Sequence, residues 1–109
     1  MNGELLPREK LIKYGPNKLN DGELLSIMLG SGSKNEDVFT LSKRLINEYG
    51  FAHLFQMSYD ELSNIKGIKE AKATKLLALF EIARRIAQLE YKEEPLLLPI
   101  NVYKYVRAD

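Results

Sequence analysis

Apolar residues along this chain recur at intervals of three and four, and short polar or glycine-containing segments interrupt them at regular points. Pro7 suits a first helical turn because its fixed φ matches one, and Gly15-Pro16 closes that helix after Tyr14. Asn20 followed by Glu23 has the form of a capping box, and the apolar run ELLSIML beyond it stops at Gly30. After GSGSKNE, Val38, Leu41, Leu45 and Tyr49 fall on one helical stripe, with Phe39 and Ile46 beside it, until Gly50 ends the third helix. FAHLFQM reads as one loose turn. Ser58 with Glu61 repeats the capping box and opens a brief fourth helix through YDELSNI. From Glu70 to Tyr91 neither glycine nor proline interrupts, and Leu76, Leu77, Leu79, Phe80, Ala83, Ile86, Ala87 and Leu89 make the broad apolar face of a fifth.

No period-two run of β-branched residues occurs before PINVYKYV, so the pattern predicts an all-α, five-helix compact domain over residues 1–92. Pro95 and Pro99 end the last helix, and residues 93–109 read as a linker or the start of a truncated C-terminal domain. A chain of 109 residues suits one such domain with a real core.

Composition narrows the chemistry. Sixteen basic side chains stand against 15 acidic ones, a net charge of +1, so any anion binding must be local. With no cysteine and one histidine, His53, thiolate and histidine-rich metal centres are excluded from the chain itself. Glu36 and Asp37, like Asp60 and Glu61, read as residues favouring the positive end of a helix, and no nucleophile has an evident base beside it. The expectation is a non-enzyme. No apolar stretch approaches the ~20 residues that span a bilayer, and MNGELLPREK lacks the pattern of a secretory signal. A cytoplasmic location without membrane contact is expected.

The segment NIKGIKEAKATKL, residues 64–76, carries the most specific signal. Only KGIK is left to reverse the chain, a length that calls for positive φ and so for Gly67. Ile68, apolar at the tip, is expected to tuck back between the helices. The N–H groups of Gly67, Ile68, Lys69 and the following helical turn then point outward at the positive end of a helix dipole, a setting that attracts anions. Lys66, Lys69, Lys72 and Lys75 line that rim, although the same lysines would equally form the solvated face of a plain hairpin. LGSGSK repeats the arrangement 37 positions earlier: Gly30 aligns with Gly67, Ser31 with Ile68 and Gly32 with Lys69, while Ser33 and Lys34 add a hydroxyl and a charge.

IKGIKEAKA resembles the second half of a helix-hairpin-helix motif, matched at Ile65, Gly67, Ile68 and Ala73. PREKLIKYGPNKLNDGELLSIMLGSGSKNEDVFTLSKRLI, with that hairpin after it, is similar over residues 7–90 to the N-terminal domain of RadC-like proteins. The resemblance implies two pseudo-repeated helix-hairpin-helix elements ahead of a metallo-isopeptidase-like C-terminal domain of the JAB1/MPN type, in a family tied by name to DNA repair. It further implies sequence-independent binding of the DNA backbone through Gly30, Ser31, Gly32, Ser33, Lys34, Lys66, Gly67, Ile68, Lys69 and Lys72, with no cofactor beyond a monovalent cation at a hairpin. Two features depart from the family. Lys69 replaces the motif's second glycine, and the His-x-His and aspartate that hold zinc in the C-terminal domain do not occur. The competing expectation is a protein-interaction domain serving that C-terminal domain, with Phe51, Leu54 and Phe55 as a surface if they are not core. The apolar strip Leu96, Leu97, Leu98, Ile100 and Val102 adds an expectation of weak self-association through residues 95–106.

Overall fold

The computed structural model describes residues 5–91. The chain divides into two compact units, Met1–Leu77 and Ala78–Asp109. The reading of residues 93–109 as a linker or truncated domain, and the self-association expected of 95–106, lie outside the described residues.

Among the described residues, six α-helices succeed one another: α1 Pro7–Tyr14, α2 Asp21–Leu29, α3 Val38–Glu48, α4 Gly50–Phe55, α5 Tyr59–Ser63 and α6 Glu70–Tyr91, with a 3-10 turn at Pro16–Lys18. The all-α class is as the sequence pattern predicts. Among the same residues the β pairing is confined to one isolated bridge, between Ser33 and Glu36. The expected count of five helices is corrected to six, because FAHLFQM is largely helical rather than a loose turn. Phe51, Leu54 and Phe55 stand at i, i+3 and i+4, a run too short for periodicity to declare a helix, and the full burial of Leu54 holds it in place.

Local chemistry explains where the helices begin. The Glu23 N–H donates to Asn20 Oδ1 at 2.8 Å and the Glu23 carboxylate accepts from the Asn20 N–H at 2.9 Å. Ser58 and Glu61 repeat the exchange at 3.1 and 2.8 Å. Both capping boxes are thus formed, each satisfying backbone donors that a helix start leaves open. At α1, Pro7 occupies the first position and the Leu6 N–H donates to the Glu9 carboxylate at 2.9 Å. Glu23 also receives Lys10 Nζ at 3.1 Å, which ties α1 to α2. The Asn20 N–H first, and then Lys10, hold the Glu23 carboxyl below the usual range.

In the first unit, α2 and α3 pack most extensively against each other. Gly22 of α2 faces the backbone of α3 at Lys43, where a β-carbon would sit at ordinary contact distance, 3.8 Å from Lys43 Cα. Leu25 and Leu29 of α2, Leu41 and Leu45 of α3, Leu54, Leu62, and Ala73 and Leu76 of α6 are all essentially removed from water. Each large aliphatic so buried contributes about 1.5–3 kcal/mol, which is why capped but short helices suffice. In the second unit, Phe80 is buried, while Ala83 and Ala87 are exposed and Ile82 is 56% exposed. The apolar face expected on this helix is therefore buried in part only. Glu81 pairs with Arg84 and, at 2.9 Å, with Arg85.

Ser42 is fully buried on α3, and its hydroxyl has no hydrogen-bond partner among the described residues. A buried hydroxyl without a partner forfeits its hydration with nothing in return. Ser42→Ala is therefore expected to raise stability by about 1 kcal/mol, read as a higher midpoint in urea with unchanged m-value.

Candidate functional site

Ile68 fixes the geometry of the second turn. It is fully buried although it sits between exposed Lys66 and Lys69. Its N–H donates to the Ile65 carbonyl at 2.9 Å, closing the turn, and Gly67 takes φ +92°. The positive φ at Gly67 is strained for any residue with a side chain, and a β-carbon there would also press on Leu41 Cδ1 at 3.0 Å, so the turn favours glycine. Helix α6 starts at Glu70, with the Lys69 carbonyl accepting from the Ala73 N–H at 2.8 Å. The N–H groups of Lys69, Glu70, Ala71 and Lys72 have no acceptor among the described residues. The predicted donor set is thus present at the start of α6, but Ile68 is not part of it because its N–H is spent inside the turn.

The first turn departs further from expectation. Gly30 does take positive φ, +81°, but it is the C-cap of α2 and its N–H donates to the Ser26 carbonyl at 3.0 Å. Ser33 exchanges backbone hydrogen bonds with Glu36 at 2.8 and 3.3 Å, leaving Lys34 and Asn35 as an exposed two-residue tip. Neither the Gly30 nor the Ser33 N–H is therefore available to an outside anion. Helix α3 begins only at Val38, and the Asp37 carboxylate already caps it by accepting the Thr40 N–H at 2.8 Å. That contact holds the Asp37 carboxyl below its ordinary range. Gly30 and Gly67, aligned by the 37-residue offset, share a positive φ, and the correspondence ends immediately after them. Ser31 is exposed and Gly32 half-buried.

The fold nevertheless brings the two turns together. Lys72 Nζ donates to the Gly32 carbonyl at 3.2 Å. Arg44, near the middle of α3, donates through Nε and Nη2 to both Glu36 carboxylate oxygens, at 3.0 and 2.9 Å, and through Nη2 to the Lys66 carbonyl at 2.6 Å. The Glu36 side chain is 16% exposed and that of Arg44 26%. The guanidinium lowers the Glu36 carboxyl from its ordinary value, with a smaller contribution from Lys66. Glu36, expected in a first helical turn, lies outside α3 and is an ion-pair partner instead. Sequence reasoning missed Arg44 altogether, since nothing local signals a contact 22 positions away. Across residues 30–37, Arg44 and residues 66–72, five basic side chains face three carboxylates. The local surface is mildly positive.

Away from the turns, His53 is exposed and packs edge-to-face on Tyr49, with ring centroids 5.4 Å apart. Leu54 is core, and Phe51 and Phe55 are half-buried. No group of three His, Cys, Asp or Glu among the described residues could hold a metal ion, and none of the described helices is long and apolar enough to cross a membrane.

Fold and site together define a small all-α domain that sets two glycine turns side by side on its surface. The family model described as "UPF0758 N-terminal" matches residues 1–74, and the chain belongs to that family. It is 42% identical over 106 residues to a UPF0758 protein of Carboxydothermus hydrogenoformans, covering 95% of this chain and 47% of the relative. A UPF0758 protein of Methanococcoides burtonii is 45% identical over 86 residues, 79% of this chain and 38% of the relative. One of Aquifex aeolicus is 49% identical over 82 residues, 75% and 35%. The chain spans less than half the length of these curated relatives. No solved structure matches it significantly.

The two glycines of the first turn differ in a way that mutation resolves. A β-carbon on Gly32 would collide with the Glu36 carbonyl oxygen and lie 2.6 Å from the Asp37 carbonyl carbon, whereas the space around Gly30 is open. Gly30→Ala is expected to cost about 1–2 kcal/mol through its backbone conformation alone, and Gly32→Ala about 3 kcal/mol or more through forced opening of the loop. Urea midpoints of the two variants decide the order.

The Glu36–Arg44 pair also sets a pH dependence. A carboxyl whose folded pKa is depressed contributes stability that is fully present above its unfolded pKa, near 4.3, and is lost as pH falls through the lower folded value. Glu36→Gln is expected to be less stable than wild type at neutral pH, with the difference shrinking as pH falls below about 4. A gap between the two urea midpoints that stays constant down to about pH 2 contradicts this.

Proposed function

We propose that this domain holds the sugar-phosphate backbone of duplex DNA, without reading bases, as the N-terminal part of a RadC-like protein. The observation that carries the reading is the start of α6. Its N–H groups lack acceptors among the described residues, Lys66 and Lys69 stand exposed beside it, and buried Ile68 holds the turn rigid. A helix start with open donors and flanking lysines suits a phosphate oxygen. The resemblance to a helix-hairpin-helix motif supports the same assignment. The first turn contributes Lys34, the Ser31 hydroxyl and the Gly32 segment that Lys72 holds against it. Contacts of this kind position a protein on nucleic acid and carry little sequence information. Activity, substrate and partners of the full-length protein, including the metallo-isopeptidase-like chemistry that the resemblance implies, belong to the same proposal.

A second reading has its own observation. Leu6, Ile12, Ile27, Val38 and Phe39 line an open groove of about 510 Å³, and Ile12 is 82% exposed. Such a surface suits a protein partner, the role of a scaffolding domain.

Fluorescence anisotropy of a labelled duplex, titrated across a salt series, separates the two. Phosphate binding predicts that log K falls linearly with log salt at about −0.9 per phosphate neutralised, and that Lys34, Lys66 and Lys69 changed together to Glu abolish binding. Lys72 is left intact, since its ammonium is a structural tie. Absence of binding at low salt, or binding indifferent to the triple change, transfers the function to the groove.

A further inference from the structure

Arg44 lies beneath the second turn, yet its three hydrogen bonds all go inward: two to Glu36, in the loop that carries the first turn, and one to the Lys66 carbonyl, in the second. We infer that Arg44 is a positioning residue that locks the two turns into a single phosphate-binding unit. The inference rests on the phosphate reading above and deepens it.

The geometry is specific to a guanidinium. The fork engages both carboxylate oxygens, and Nη2 is shared between Glu36 Oε1 at 2.9 Å and the Lys66 carbonyl at 2.6 Å. An ammonium has neither the planar fork nor the reach to bridge three acceptors at once. The pair also disposes of an unfavourable charge. A bare Glu36 carboxylate this close to Lys66 would repel a phosphate at the second turn; paired with Arg44 it does not. Leu41 Cδ1, Arg44 Nη2 and Glu36 Oε1 lie 3.0, 3.5 and 3.6 Å from where a β-carbon on Gly67 would stand, so the staple is packed directly against the turn. Lys72, bonded to the Gly32 carbonyl, makes a second tie between the same two segments. The donor-rich start of α6 and the supporting charge and hydroxyl of the first turn, held at a fixed separation, bind one backbone with the advantage of linkage, because the second contact is made within the complex already formed by the first. Sites free to move apart lose that advantage while keeping every charge.

The test is a duplex titration across salt with the wild-type chain, Arg44→Lys and Asn20→Ala. Arg44→Lys preserves net charge and removes the fork. Asn20→Ala removes a helix cap at the far end of α2, lowering stability without altering charge or staple. Expected is a loss of about tenfold or more in affinity for Arg44→Lys, with the log–log salt slope shallower by about 0.9 as one phosphate contact drops out. Asn20→Ala should keep wild-type affinity and slope. Affinity and slope unchanged in Arg44→Lys overturn the positioning role and leave the phosphate reading standing. Equal losses in Asn20→Ala and Arg44→Lys overturn it too, by showing that general destabilisation suffices. If the wild-type chain binds no duplex at low salt, the phosphate reading fails and this role fails with it.

Discussion

An isoleucine at the tip of a turn, flanked by lysines, cannot leave water unless the turn folds back on its own helices. Ile68 does leave water completely. That single burial dictates the rest of the site. It requires positive φ at Gly67, closes the turn through the Ile65 carbonyl, turns Lys66 and Lys69 outward, and delivers the chain to Lys69 in position to begin α6. A polar residue at 68 would leave the turn free to open, and the open N–H groups at the helix start would no longer face a defined point. The hydrophobic effect here sets direction as much as stability.

Much of this was legible in the sequence, and the reasons are physical. Capping boxes are local exchanges between residues three apart, so Asn20 with Glu23 and Ser58 with Glu61 declare themselves without knowledge of the fold. Gly30 and Gly67 were legible because a positive-φ turn leaves few choices of residue. The burial of Ile68 followed from an apolar side chain in a polar setting. Where the reading failed, long-range contact decided. Helix α4 exists because Leu54 finds a core, which six residues of pattern cannot announce. Helix α6 presents one apolar stripe by sequence, yet Leu76 and Phe80 are buried on it while Ala83 and Ala87 are exposed. Arg44, Glu36 and the Lys66 carbonyl meet only once α3 is laid beside the second turn.

The two glycine turns show how similar sequence can be put to unlike use. At the second, the helix start has no side-chain oxygen for a cap, and its donors stay open. At the first, the chain runs on from Gly30 to Asp37 before α3 begins at Val38, and Asp37 supplies the negative charge that a ligand would otherwise bring. An internal carboxylate and an external phosphate compete for the same donors. The two glycine turns therefore offer one strong candidate anion site and one supporting segment, rather than two equal clamps.

The Ser33–Glu36 bridge encloses only Lys34 and Asn35, both exposed, at the outer edge of the first turn. Because the chain contains no cysteine, a single thiol placed at Asn35 would be chemically unique. The loop closed by that bridge is therefore a ready point of attachment for a fluorophore or spin label, and through Glu36 it is wired to the second turn. A reporter there would sense movement between the turns directly, with no ligand needed to reveal it.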